Sequence, residues 1–182
     1  MVKDKIIDEL LEFVKIFIIS VIAVILFVTF IAKPVTVMGS SMYPTLVDGD
    51  YGFSSVISLN ISELKRFDVV VIESEELDEL IVKRIIGLPS ETIAYQNDQL
   101  YVNGVLVEEA FLDNEYVREQ KEKFGYFTDD FEIELAENEY FYLGDNRLNS
   151  TDARVLGPIT KDKIFCKGLF TLLPLERFAK GA

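Results

Sequence analysis

Leu80-Ile81-Val82-Lys83-Arg84-Ile85-Ile86 sets a lysine and an arginine inside an aliphatic run. Side chains of this kind, many of them β-branched, favour a strand. Strand alternation places Ile81, Lys83 and Ile85 on one face and Arg84 on the other. Upstream, Arg66-Phe67-Asp68 leads into Val69-Val70-Val71-Ile72, which reads as a buried strand. Between the two lies Glu73 to Glu79, with five acids in seven residues, a solvated hairpin tip. The two runs are therefore expected to form a hairpin. A lone amine among isoleucines is disfavoured in its charged form, which lowers its pKa and makes Lys83 a candidate base. The same lysine would also suit an edge strand, where it blocks aggregation. This strand alone leaves both readings open.

Working outward, the chain has 182 residues, one modest domain besides whatever a membrane takes. Ile16 to Ala32, IFIISVIAVILFVTFIA, is seventeen residues without a charge. With Phe13 and Val14, and with Lys15 snorkelling, it reaches the ~20 residues needed to cross hydrocarbon. A cleaved signal peptide would have a shorter apolar region ending in a small-x-small site. Here the end is Thr29-Phe30-Ile31-Ala32, with bulky Phe30 where a small residue belongs. Residues 16–33 are expected to be a retained transmembrane anchor. Lys3, Lys5 and Lys15 precede it and only Lys33 follows closely. The positive-inside rule then puts residues 1–15 in the cytoplasm, with 3–15 as a short amphipathic helix, and the rest outside.

From Pro34 onward the pattern is one of short strands. Val35-Thr36-Val37 leads into a serine turn, and Tyr51 to Ile57 follows the turn signal Asp48-Gly49-Asp50. Tyr101 to Val107 is a hairpin about Asn103-Gly104. Residues 108–139 hold twelve acids against three bases, a polar insertion. Tyr140-Phe141-Tyr142-Leu143 returns to the core, and Phe165 to Phe178 supplies a last strand. The expected class is mainly β: a barrel-like antiparallel body of residues 34–94 and 140–182, with a β-rich peripheral insertion at 95–139. One N-terminal transmembrane helix precedes it. A net charge of −13 argues against a nucleic-acid partner. The chain has no histidine and one cysteine, Cys166, so neither an internal disulfide nor a zinc site is expected, and no cofactor.

Gly39-Ser40-Ser41-Met42-Tyr43-Pro44-Thr45-Leu46 presents two hydroxyls between a permissive glycine and a rigid proline. A serine needs a partner base to become a nucleophile at neutral pH. Without histidine, Ser-His-Asp catalysis is excluded, and Tyr43 stands where an esterase elbow needs its second glycine. A carboxylate is a weak base for a hydroxyl unless its pKa is greatly raised. A buried lysine is the better candidate, and Lys83 fits.

Three separated motifs resemble the signature boxes of type I signal peptidases. They are Ser41-Met42-Tyr43-Pro44-Thr45-Leu46, Lys83-Arg84-Ile85-Ile86-Gly87-Leu88-Pro89, and Gly144-Asp145-Asn146-Arg147-Leu148-Asn149-Ser150-Thr151-Asp152-Ala153-Arg154. Arg66 to Val71 looks like a further, weaker box. The resemblance implies a Ser/Lys dyad, with Ser41 as nucleophile, Lys83 as general base and the Ser150 hydroxyl holding the lysine amine. Ser41, not Ser40, immediately precedes Met-x-Pro-Thr. In some members a serine two positions before the nucleophile donates to the oxyanion; Gly39 stands there, so backbone N–H groups, including that of Ser41, are expected to do so. Single-span members from Gram-positive bacteria look similar at this site. The resemblance also pairs Asp145 with Arg84 and Asp152 with Arg154, fixing the loop beneath the dyad. Arg147, third in Asp145-Asn146-Arg147, contradicts a calcium loop.

The implied activity is that of a single-pass membrane serine endopeptidase that removes signal peptides from exported preproteins after a small-x-small motif. Val35, Val37, Met42, Leu46, Ile81 and Val82 suit shallow apolar pockets that admit alanine and clash with larger side chains. The substrate would add as an extended strand beside residues 35–39 and 80–83. Preproteins and the lipid bilayer are the implied partners, with the secretion channel a further candidate. Two other classes compete. A repressor-like self-cleaving Ser/Lys protein would carry a basic DNA-binding helical domain where this chain has an apolar run. A non-catalytic anchored surface module leaves the spacing of Ser41, Lys83 and Ser150 unexplained.

Overall fold

The computed structural model describes residues 2–178, with side chains from Ile7 onward. The Lys3 and Lys5 side chains, which enter the orientation argument, and the last four positions of the 140–182 segment lie outside the described residues. Helix α1 (Val2–Phe30) is continuous, so the polar lead and the apolar run form one element. Its stretch Ile7–Phe30 is long and apolar enough to cross a membrane. At about 1.5 Å per residue, 24 residues reach about 36 Å, against roughly 30 Å of hydrocarbon. Phe13, Phe17, Ile22 and Ile25 are all exposed on it, an apolar surface that asks for apolar surroundings.

Strand β1 (Ala32–Thr36) pairs antiparallel with β2 (Tyr51–Ser55). The strand expected to run on to Ile57 instead gives way to α2 (Val56–Ile61). Ser55 Oγ accepts the Ser58 N–H at 3.0 Å, and this cap starts a helix where the aliphatic run alone would have continued the strand. Strands β3 (Val69–Ser74) and β4 (Glu79–Gly87) form the hairpin around the acidic tip, with Val70 opposite Lys83 and Ile72 opposite Ile81. Strands β5 (Thr92–Gln96), β6 (Gln99–Val102) and β7 (Val105–Val107) follow, β6 and β7 being joined at Asn103-Gly104. Both turn residues have positive φ, 50° and 77°, as a tight hairpin turn requires.

Helix α3 (Glu115–Phe124) was not evident from the sequence. Asn114 caps it through a 3.0 Å bond from the Val117 N–H, and Gly125 at φ +85° ends it. Only Val117 of this helix is buried, so there is no apolar stripe to announce it. Strands β8 (Phe131–Glu134) and β9 (Glu139–Leu143), helix α4 (Ala153–Leu156), and strands β10 (Ile159–Thr160) and β11 (Ile164–Leu173) complete the chain. The larger sheet has the order β1-β2-β11-β3-β4-β9-β10 and the smaller β7-β6-β5-β8. Every described pairing is antiparallel.

Val70, Ile72, Ile85 and Phe141 from the larger sheet share one core with Ile93, Tyr95 and Leu100 from the smaller. A second cluster, Val37, Met42, Leu46, Val69 and Leu169, lies under the serine turn. Full burial of side chains such as Met42 and Leu46 is worth about 1.5–3 kcal/mol each, which anchors that turn to the sheet.

Candidate active site

Lys83 sits on β4, which is flanked by β3 and β9 in the middle of the larger sheet. An edge-protecting role is thereby removed, since the lysine guards no edge. The residue is only 3% exposed, and its Nζ lies 2.8 Å from Ser41 Oγ. Burial pushes the amine below the ordinary lysine pKa; Asp152, Glu79 and Asp145 pull it partway back. The site thus combines a hydroxyl with an amine whose charged form is penalised by burial.

The serine turn assigns different tasks to its two hydroxyls. Ser40 Oγ accepts from Asn149 Nδ2 at 2.8 Å, and the Ser40 carbonyl accepts from Asn146 Nδ2 at 3.1 Å. Ser40 is therefore tied to the 144–154 loop, whereas Ser41 faces the lysine. The Ser41 carbonyl accepts the Asn146 N–H at 2.9 Å. Gly39, at φ +80°, donates its N–H to Asp48 Oδ1 at 2.8 Å. The Ser41 N–H donates to no described residue.

The loop beneath Ser41 and Lys83 is held by two ion pairs, Arg84–Asp145 and Arg154–Asp152. Arg84 Nε and Nη2 donate to the Asp145 carboxylate at 2.8 and 2.6 Å, a buried two-point contact. Thr45 Oγ1 donates to the same carboxylate, joining it to the serine turn. Asp152 accepts the Gly144 N–H at 3.0 Å and Arg154 Nε at 2.8 Å. Ser150 Oγ is buried and has no hydrogen-bond partner among the described residues. It lies 2.3 Å, and the Ser41 carbonyl oxygen 2.5 Å, from the point where a Cβ on Gly144 would fall, so the two are neighbours.

A groove of about 770 Å³ runs up to Ser41 and Lys83. Val35, Val37, Met42, Ile81 and Val82 line it. Leu46, expected on its wall, packs beneath the turn with Met42, Val69 and Leu169 instead.

The family model described as signal peptidase, peptidase S26, matches residues 10–173. The chain belongs to this family. It is 39% identical over 174 residues to signal peptidase I S of Bacillus subtilis (strain 168), covering 94% of each chain. It is 41% identical over 169 residues to signal peptidase I T of the same organism, covering 91% of this chain and 86% of the other. A crystal structure of a signal peptidase I from Enterococcus faecalis V583 superposes with a TM-score of 0.54 at 33% identity, covering 58% of this chain and 97% of that one.

Other residues of this peptidase S26 chain join the site without having been singled out for it. The fully buried Arg147 donates to Tyr95 Oη at 2.7 Å, to the Gly144 carbonyl at 3.1 Å and to the Glu109 carboxylate. It ties the smaller sheet and the segment after β7 to the loop under the dyad. No local pattern could have paired it with Glu109, 38 positions away. Asn146, Asn149 and Thr45 were likewise hidden, because their partners are long-range backbone and side-chain atoms.

Asp145→Ala is expected to destabilise the protein by about 3–5 kcal/mol, because it strands the Arg84 guanidinium in a buried site. Thermal unfolding of wild type and variant in the same detergent measures this. A loss below about 1 kcal/mol would mean that the pair behaves as a solvated one.

Proposed function

We propose that Ser41 and Lys83 are the catalytic dyad of a membrane-anchored endopeptidase that removes signal peptides from exported preproteins. The observation that carries this reading is the 2.8 Å approach of Lys83 Nζ to Ser41 Oγ at the end of an apolar groove. With the amine neutral, the Ser41 hydroxyl donates to the Nζ lone pair. As Oγ attacks the scissile carbonyl carbon, its proton passes to Nζ. The Ser41 N–H, which donates to no described residue, donates to the developing oxyanion, while the Gly39 N–H is occupied by Asp48. Collapse breaks the C–N bond, and the leaving amine takes the proton from Nζ. A water that gives its proton to neutral Lys83 then attacks the acyl carbon; the C–Oγ bond breaks, and the proton on Nζ passes to Ser41 Oγ, which restores the hydroxyl and the neutral amine. Ser150 was expected to hold the amine, but its buried hydroxyl, beside the Ser41 carbonyl, makes no hydrogen bond to any described residue, Lys83 included.

The substrate lies as an added strand between residues 35–39 and 80–83. Walls of Val35, Val37, Met42, Ile81 and Val82, with Leu46 supporting them from below, accept alanine and exclude larger side chains, which gives a small-x-small preference. Residues 34–94 and 140–182 carry the chemistry, with 95–139 as a peripheral insertion. Helix α1 crosses the bilayer with its N-terminus in the cytoplasm, which sets the groove outside, where preproteins leave the secretion channel.

The rate of preprotein cleavage by the full chain in detergent tests this mechanism through its pH dependence. Lys83 acts only when neutral, and burial lowers its pKa. The rate is therefore low in acid, rises as pH climbs through that depressed pKa, and levels off below the ordinary lysine range. A flat profile between about pH 6 and about pH 10 would remove Lys83 as the base.

A further inference from the structure

Arg177 lies beyond residues 10–173, the part of the chain that the family model matches, yet it reaches the serine turn. After β11 the chain passes Pro174 into a single 3-10 turn, Leu175–Arg177. Phe178 packs edge-on against Phe170 of β11 with ring centroids 5.7 Å apart, which holds this turn down. From there Arg177 Nη2 donates to the Thr45 carbonyl at 2.7 Å, and Nε donates to Asp50 Oδ2 at 3.0 Å. The Asp50 side chain is 1% exposed and also accepts the Val47 N–H at 2.9 Å. The Asp50 carbonyl accepts the Val37 N–H at 2.8 Å, and the Gly49 N–H donates to the Val37 carbonyl at 2.9 Å.

These bonds close residues 37–50 into one unit with Arg177 as its outer clasp. Thr45 is gripped from two sides. Its hydroxyl is held by Asp145 in the loop beneath the dyad, and its carbonyl by Arg177 in the C-terminal segment. Ser41 stands four positions before Thr45, in a turn closed by the Tyr43 N–H to the Ser40 carbonyl at 3.1 Å and followed by one closed by the Leu46 N–H to the Met42 carbonyl at 2.9 Å. The guanidinium suits this task because its planar fork serves two acceptors at fixed spacing, which an ammonium does not.

We propose that Arg177 is a positioning residue for peptide-bond cleavage: by clasping Thr45 and Asp50 it fixes the serine turn so that Ser41 Oγ stays in register with Lys83. The proposal rests on the Ser41–Lys83 reading above. It makes the C-terminal segment part of the catalytic apparatus, although it touches neither the substrate groove nor the dyad.

Preprotein cleavage by the full chain in detergent is compared for wild type, Arg177→Ala, Arg177→Lys and Ser41→Ala, below each variant's own unfolding temperature. Arg177→Ala is expected to lower kcat about 100-fold, the scale of a nucleophile misplaced by roughly 1 Å. KM should change by less than about threefold, because neither Thr45 nor Asp50, the residues Arg177 holds, lines the groove. Arg177→Lys, which keeps a cation beside Asp50 but loses the fork, should recover part of kcat. A folded Arg177→Ala with kcat within about twofold of wild type overturns the proposal. Should Arg177→Ala not fold, the same threshold applied to Arg177→Lys decides. If Ser41→Ala retains cleavage, the dyad reading itself fails. If Ser41→Ala is inactive while the Arg177 variants cleave like wild type, only the clasp is wrong.

Discussion

Lys83→Ala is expected to lower kcat for preprotein cleavage by about 10⁴-fold or more while leaving the fold in place. The chain has no histidine, and no described group other than Lys83 lies within hydrogen-bonding distance of Ser41 Oγ. Without the amine the hydroxyl keeps its proton, and the leaving amine has no donor. Stability should not suffer, because burial already disfavours this amine in its charged form. Lys83→Arg is the informative companion. A guanidinium has similar reach but does not release its proton near neutral pH, so this variant should be as inactive as alanine. If the lysine merely completed the packing of β4, arginine would restore function. Ser41→Ala should lose as much, and the double variant no more than either single one, since nucleophile and base act as a unit. Cleavage by Lys83→Ala or Lys83→Arg within about tenfold of wild type would leave the dyad without its base.

The contrast between what was and was not legible in the sequence follows the range of the deciding interactions. The β3–β4 hairpin was readable because its aliphatic runs and acidic tip are local features, and the β6–β7 hairpin because Asn103-Gly104 supplies the two positive φ angles itself. Helices α2 and α3 were not, because each depends on one capping bond and on packing that buries a single residue, Leu59 or Val117. Lys83 shows the limit most directly. Its own strand allowed either an edge lysine or a buried base, and the placing of β4 between β3 and β9 removes the edge reading. Strand order belongs to the whole chain and leaves no mark in seven residues.

The site follows the same rule. The pairs Arg84–Asp145 and Asp152–Arg154 were expected from the resemblance, and both form. The Arg147–Glu109 pair was not, because the acid comes from a polar stretch whose other carboxylates mostly face solvent. One buried carboxylate among twelve acids in residues 108–139 gives no local signal. Leu46 was placed on the groove wall as one of the apolar residues around the serine turn, whereas it packs into the second core.

Gly144→Ala tests how closely the loop and the serine turn are fitted, and it is expected to abolish most activity through a single methyl group. A Cβ at this position would lie 2.3 Å from Ser150 Oγ, 2.6 Å from Ser150 Cβ and 2.5 Å from the Ser41 carbonyl oxygen. The hydroxyl can turn aside, but the Ser41 carbonyl is backbone and is already held by the Asn146 N–H. Relief therefore requires moving either the serine turn or the loop, and both moves shift Ser41 against Lys83. A displacement near 1 Å predicts a kcat loss of about 10²-fold or more, with an overpacking cost of about 1–3 kcal/mol in stability. Ser150→Ala in the same chain should not rescue it, because the Ser150 Cβ and Ser41 carbonyl contacts remain. Measuring kcat and thermal unfolding for Gly144→Ala, for Ser150→Ala and for the double variant, with the double variant read against Ser150→Ala alone, separates the causes. Recovery of activity in the double variant would show that the hydroxyl, not the backbone, was the obstacle, and that the turn tolerates more movement than its hydrogen bonds imply.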